Sequence, residues 1–445
     1  MTSPSTDQVS PQTLRRVIIA AGIGNFVEWF DFAVYGFLAT TIAQQFFPSG
    51  DASAALLKTF AVFAVAFAFR PLGGIFFGML GDRIGRKRTL AMTILLMAGA
   101  TTLIGLLPTY AASGVAAPIL LSLIRCAQGF SAGGEYAGAC AYLMEHAPSD
   151  KRAWYGSFVP VSTFSAFAAA AVVAYALEAS LSAEAMGSWG WRLPFLIAAP
   201  LGLVGLYLRW KLDETPAFQA VKQEHAVAHS PLKETLRNHG AAICCLGAFV
   251  SLTALSFYMF TTYFATYLQV AGGLSRAVAL LVSLIALIFA AAICPLAGLY
   301  SDRMGRRVTV MTACVLLIVV VYPSFLMASS GSFAASVVGV MLLAVGAVLC
   351  GVVTAALLSE TFPTRTRYTA SAITYNMAYT IFGGTAPLVA TWLISTTGSN
   401  LSPAFYLIAV AVLALAGGLA LPETSRISLH EVGVEEKGAA PVLSR

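Results

Sequence analysis

A helix that crosses the hydrocarbon core of a bilayer needs about 20 apolar residues in a row, and this chain offers twelve such stretches. They run over 17–42, 55–80, 89–108, 116–145, 154–179 and 192–211, then over 240–269, 277–300, 308–328, 334–359, 368–396 and 403–421. Too little charge is left to coat a water-soluble surface. Only 10% of the 445 residues are Asp, Glu, Lys or Arg, against about 25% in soluble domains. Backbone polar groups in lipid must be satisfied within the segment itself, which makes stretches of this length helices. The expected fold class is an all-α membrane protein of twelve transmembrane helices, covered by the lipid bilayer.

The stretches fall into two sets of six. Gly78-Met79-Leu80-Gly81-Asp82-Arg83-Ile84-Gly85-Arg86-Lys87 returns as Gly298-Leu299-Tyr300-Ser301-Asp302-Arg303-Met304-Gly305-Arg306-Arg307, the aspartates 220 positions apart. Glu145, Pro148 and Arg152 return 215 positions later as Glu360, Pro363 and Arg367. Glu214-Thr215 returns 209 positions later as Glu423-Thr424. These matches, in order and at corresponding ends of corresponding stretches, imply two pseudo-symmetric six-helix bundles related by an axis along the membrane normal. The expected division is an N-terminal segment 1–16, a first bundle 17–211, a central loop 212–239, a second bundle 240–421 and a tail 422–445.

Lys and Arg placement orients the chain. Segments expected on the cytoplasmic side hold 21 of the 26 basic residues, and the opposite loops hold Lys58, Arg192 and Arg276. Both termini are therefore expected in the cytoplasm. The net charge of +6 is spread over short loops instead of a patch, so nucleic acid is not an expected partner. All seven cysteines lie in apolar stretches without ligand spacing, and all five histidines lie in expected cytoplasmic loops. No Walker loop, Ser/His/Asp grouping or metal cluster is present in the sequence, so neither an enzyme nor a bound cofactor is expected.

Five ionisable residues interrupt the first bundle: Glu28, Asp31, Arg70, Arg125 and Glu135. An ionised side chain at mid-bilayer costs about 3 kcal/mol or more, which makes each a functional candidate. Glu28 and Asp31 are three apart and share a helix face, with Asn25 and Tyr35 extending it. Arg125, followed on its face by Gln128, lies near the middle of the fourth stretch. A carboxyl group whose Arg partner comes and goes can load and release a proton. Glu28, Asp31 and Arg125 are the candidate coupling residues, expected to meet in a wet central cavity; a static ion-pair network with Arg70 or Arg125 is the alternative. Arg70 precedes Pro71, whose ring is expected to kink the second stretch, and its role stays open between pairing and ligand binding. The second bundle contributes aromatic and amide groups. Tyr263 with Tyr267, Tyr375 with Tyr379, and Asn376 are candidate substrate contacts beside Asn25, Tyr35, Arg125 and Gln128, since an aromatic wall can hold a quaternary ammonium. Asp82, Arg83 and Arg86, their copies Asp302, Arg303 and Arg306, and Glu135, Glu145, Arg152, Glu360 and Arg367 are candidates for a conformational gate.

The repeated loop resembles the signature loop of the major facilitator superfamily, and 124–135 resembles that superfamily's fourth-helix motif. Gly24-Asn25-Phe26-Val27-Glu28-Trp29-Phe30-Asp31-Phe32, Phe69-Arg70-Pro71-Leu72-Gly73-Gly74, Gly190-Trp191-Arg192-Leu193-Pro194-Phe195 and Asp213-Glu214-Thr215-Pro216-Ala217-Phe218 resemble its metabolite:proton symporter branch. The resemblance implies a carrier of proline and betaine, α-ketoglutarate, citrate or shikimate, with the proline/betaine members nearest. It implies proton-coupled uptake of a small carboxylate or zwitterion by alternating access in a bacterial inner membrane. It further implies a part for Arg125 in coupling or in holding an anionic substrate. The proton gradient is the expected energy source and a monomer the expected working unit. A proton-driven exporter of drugs or cations, and a non-transporting sensor, are the other readings.

Overall fold

The computed structural model describes residues 11–84, 86–133, 136, 140, 143, 144, 147–210, 231–362 and 367–425. Among them every regular element is helical. Among the described residues nine helices are long and apolar enough to span a bilayer, a bent pair makes a tenth, and Ala91–Leu106 and Ala116–Ser131 are shorter apolar helices. The first span runs over Pro11–Phe37, bends by 63° at Leu38 and continues over Ala39–Phe46. The second comprises Ala52–Ala68 and Arg70–Ile84, the third Arg86–Leu106 and the fourth Ala116–Ser131. The fifth comprises Arg152–Gly156 and Phe158–Ser180, and the sixth is Leu193–Trp210. The seventh comprises Pro231–Tyr258, a π-helical turn Met259–Tyr263 and Phe264–Val270. The eighth is Arg276–Met304, the ninth Arg306–Ala328 and the tenth Phe333–Glu360. The eleventh comprises Arg367–Ala378, a π turn Tyr379–Gly383 and Ala386–Thr397, and the twelfth is Ser402–Leu419.

Two helices reach beyond the apolar runs read from sequence: the first and seventh are already helical at Pro11 and Pro231, where the described residues begin. Hydropathy does not register a polar helical extension. Outward-facing Leu72, Ile75, Leu103, Leu123, Val319 and Leu413 are exposed large apolar side chains, as a lipid-facing surface requires.

The two halves meet along a seam. Spans five and eight pack along their length, as do spans two and eleven, and the first span meets the seventh at its π turn. Glycines permit the closest approaches. A Cβ at Gly36 would sit 2.7 Å from Thr262 Cγ2, and one at Gly298 would sit 2.7 Å from both Ala153 O and Trp154 Cα. Gly298→Leu should therefore hold apart the end of the seam that carries Asp302. The expected result is at least a tenfold loss of transport, with a cysteine placed at Trp154 becoming reactive to a water-soluble maleimide. Normal transport by this variant would show that the contact does not need to close.

Proline chemistry shapes the second span. Pro71 has no N–H to give to the carbonyl four residues earlier, and its ring clashes there. The helix breaks at Phe69, and the freed Phe67 carbonyl accepts a hydrogen bond from Thr380 Oγ1 across the seam at 2.9 Å. The helix is interrupted at this one residue, and a side chain from the other half satisfies the orphaned acceptor.

Candidate functional site

Spans two and four touch backbone to backbone. Cβ atoms at Gly73, Gly129 and Gly133 would collide with Phe130 O, Ala66 O and Arg70 O, the small-residue packing that brings membrane helices together. Two arginines, Arg70 and Arg125, lie on the helices joined by this contact. Arg70 and Arg125 have no solvent-exposed surface, and Glu28 and Asp31 are 4% and 1% exposed.

Arg125 belongs to the interior of the first half. Its Nη1 donates to Gln128 Oε1 at 2.7 Å, and Gln128 Nε2 donates to Thr101 Oγ1 at 2.5 Å. Its guanidinium lies 4.2 Å from the ring centre of Tyr35, 5.1 Å from Phe63 and 5.4 Å from Phe32. Tyr35 in turn donates its hydroxyl to Thr59 O at 2.9 Å. Asp31 lies within electrostatic reach of Thr101, Glu28 and Arg125. Asp31, Arg125, Gln128 and Tyr35 thus form one cluster among the first four spans.

Arg70 lies at the seam. Its Nη2 is 3.9 Å from Glu28 Oε1 and 3.4 Å from Ala132 O. Its guanidinium is 5.3 Å from the ring of Phe67, 5.7 Å from Phe32 and 5.9 Å from Trp29. The phenols of Tyr258, Tyr375 and Tyr379, all from the second half, act on it electrostatically. The aromatic contacts continue across the seam. Trp29 meets Phe257 at 5.1 Å and Tyr258 at 6.3 Å, Tyr258 meets Phe67 at 5.1 Å, and Tyr375 stacks on Tyr136 at 4.6 Å and on Tyr379 at 3.9 Å. The wet cavity expected from sequence is instead a packed aromatic centre. A small crevice of about 40 Å³ lies near one end of the seam, between Ser53, Leu56, Tyr263, Thr266 and Thr391.

Several expected substrate contacts lie elsewhere. Asn25 accepts from Trp29 Nε1 and donates to Val159 O, Ser162 Oγ and Thr163 Oγ1, so its amide ties the first span to the fifth. Tyr267 donates to Asn400 O at 2.9 Å within the second half, and Tyr263 packs on Phe60 beside the crevice. Tyr375 and Tyr379 reach the centre, and Asn376 Nδ2 donates to Gly133 O at 2.9 Å across the seam. Sequence reasoning does not single out Trp29, Phe257 or Tyr258, and it leaves Arg70 undecided. The signals that could find them are the position of Trp29 next to Glu28 and the adjacent aromatic pair Phe257 and Tyr258.

The gate candidates of the second copy form one network. Asp302 accepts from the Ala153 and Trp154 N–H groups at 2.9 and 2.8 Å, at the start of the fifth span, where a helix presents its free donors and positive end. Arg306 reaches Asp302 at 2.9 Å and Glu360 at 3.0 and 3.1 Å. Arg152 lies 3.7 Å from the same Glu360. Thr424 donates to Glu360, and Glu423 accepts from the backbone N–H groups of Arg306 and Arg307 at the start of the ninth span. Burial raises the Glu423 carboxyl, but these backbone donors outweigh it and hold the group below its ordinary range. Gly305 between them has φ 92° and no room for a Cβ against the Glu423 carboxylate. Arg303 is exposed and takes no part. The side chains of Asp82, Arg83, Arg86 and Arg367, and residues Glu135 and Glu145, lie outside those described. The opposite end of the seam carries an ion pair, Arg276 to Glu178 at 3.6 Å.

Comparison with known proteins agrees with this architecture. Residues 21–385 and 295–444 match the Major Facilitator Superfamily. The chain is 39% identical to a proline/betaine transporter of Salmonella typhimurium, over 97% of this chain and 86% of that one. It is also 39% identical, over the same shares, to a glycine betaine/proline/ectoine/pipecolic acid transporter of Dickeya dadantii. Among solved structures it resembles the proton:xylose symporter XylE, with a TM-score of 0.75 and 18% identity over 95% of this chain and 99% of that one. At that identity the likeness is one of fold. Helices, duplicated loops and relatives together place this multi-pass membrane protein in the Major Facilitator Superfamily.

Proposed function

We infer that the chain is a secondary transporter that takes up a small zwitterion of the proline or betaine class together with protons. The carrying observation is the buried Glu28–Arg70 pair, with Asp31 and Arg125 buried beside it within electrostatic reach of each other. Buried charges that are paired can change partner and proton occupancy at modest cost, whereas isolated ones cannot persist in such a place. The aromatic centre supports a substrate whose positive end is a quaternary or secondary ammonium, because ring faces attract cations. The names of the two relatives point to the same substrates.

In this reading the motif-bearing end faces the cytoplasm, with both termini on that side of a bacterial inner membrane. Polar contacts across the seam at each end, Asp302 with the start of the fifth span and Arg276 with Glu178, suit gates of alternating access. The unit is a monomer in the bilayer, and the proton gradient supplies the energy without a cofactor. Purified protein in liposomes, given an acid exterior, should accumulate proline or glycine betaine and lose that accumulation when the gradient is collapsed. Gradient-driven release of apolar cations, with no uptake of proline, betaine, α-ketoglutarate, citrate or aromatic acids, would identify an exporter instead.

A further inference from the structure

We propose that Arg70 anchors the substrate carboxylate and that Glu28 is its built-in competitor, so that substrate binds when Glu28 takes up a proton and releases the guanidinium. The inference rests on the symport reading above and assigns its parts to atoms.

Arg125 is poorly placed for that role. Its hydrogen bond and its ring contacts are all to residues of the first half. The second half reaches Arg70 through three phenols, Tyr258, Tyr375 and Tyr379, and Arg125 through Tyr258 alone among the described residues. The Glu28–Arg70 separation of 3.9 Å is too long for a hydrogen bond. Arg70 Nε and Nη1, Arg125 Nε and Nη2 and the hydroxyls of Tyr258 and Tyr375 are buried without hydrogen-bond partners among the described residues. Buried polar groups are nearly always satisfied, and both of these phenols, from spans seven and eleven, lie within electrostatic reach of Arg70. A carboxylate accepts charge-assisted N–H bonds from a guanidinium and can take phenol donors as well. The ring faces of Trp29, Tyr258, Tyr375 and Tyr379 stand beside it for the ammonium end.

Competition follows from charge. Ionised Glu28 and a substrate carboxylate cannot both pair with one guanidinium in a dry site, since each would also repel the other. The proton enters from the outer solution and stays on the Glu28 carboxyl while substrate is bound. It leaves to the inner solution as the Glu28–Arg70 pair re-forms. Among the described residues, the titratable and charged groups that act on Glu28 include Arg70 from span two, Tyr258 from span seven and Asp31 on its own helix. Arg70 is the cation within ion-pair distance of Glu28 among the described residues, and so the partner that Glu28 can yield.

The test is equilibrium binding of glycine betaine to purified protein with no gradient, followed by scintillation proximity between pH 5.5 and 8.5. Wild-type affinity should fall by up to about tenfold per pH unit as Glu28 ionises. Glu28→Gln should bind tightly at every pH. Arg70→Gln should lose saturable binding, with monodispersity on gel filtration checking its fold. Choline, which replaces the carboxylate with a hydroxymethyl group, should bind the wild type at least a hundredfold more weakly. Arg70→Gln binding within threefold of wild type, an unchanged pH profile in Glu28→Gln, or choline binding as well as betaine would each overturn the proposal. Because the last two need no Arg70 variant, misfolding of Arg70→Gln would not shield it. Absence of both betaine and proline binding by the wild type would overturn the symport reading itself, and this proposal with it.

Discussion

Liposomes carrying Asp31→Asn should exchange labelled for unlabelled substrate yet fail to concentrate it under an imposed pH gradient. One pH unit is worth about 1.36 kcal/mol per proton, which supports roughly tenfold accumulation by a carrier that moves one proton with each substrate. The amide keeps the shape of the carboxyl and its contact with Thr101, but it cannot accept a proton. The expected internal-to-external ratio is therefore about one, with the exchange rate within an order of magnitude of wild type. The one proton that Glu28 holds is expected to reach it through Asp31, three residues away on the same helix face, so that removing either carboxyl breaks the route. Glu28→Gln should give the same dissociation of exchange from accumulation. Undiminished accumulation by both variants would mean that the proton travels by another route.

The second large effect concerns the latch. Glu360 receives Arg306, Arg152 and Thr424 at a site where its own side chain is 1% exposed and that of Arg306 is fully buried. Glu360→Ala leaves two guanidinium groups without their shared anion. Removing one partner of a buried pair typically costs about 3–5 kcal/mol, because the remaining charge stays desolvated. The cost falls on the closed state, since opening this end of the seam hydrates both arginines. A shift of roughly a hundredfold or more towards the state open at this end is expected, at 1.4 kcal/mol per tenfold. A cysteine at Ala153, beside Asp302, should gain reactivity towards a water-soluble maleimide by a comparable factor. Unchanged reactivity would make the network a fixed structural brace.

Repetition is what makes the members of this latch legible in the chain. Asp302, Arg306, Glu360, Arg152, Glu423 and Thr424 all belong to segments that recur in both halves. A recurrence at the same end of equivalent helices constrains what can touch. Their individual partners are not legible there. That Asp302 caps the fifth span, and Glu423 the ninth, depends on how helices distant in the chain dock on one another.

The centre divides in the same way. Helical periodicity places Glu28 with Asp31, and Tyr375 with Tyr379, because residues three or four apart share a face. It also pairs Tyr263 with Tyr267, correctly as neighbours, but their depth puts them beside the crevice instead of the arginines. Nothing local distinguishes one tyrosine pair from the other.

Hydropathy, period and repetition are properties of one chain read along its length. They suffice for the helices, the twofold relation of the halves and the positions where charge interrupts lipid-class segments. They do not suffice for the two arginines. Arg70 lies at the seam while Arg125 stays within its own half, and that difference comes from packing in three dimensions. It depends on backbone contact through Gly73, Gly129 and Gly133 and on the break before Pro71. The contact joins segments distant in the chain, and it turns a side chain towards one neighbour or another without altering the pattern along the helix that bears it.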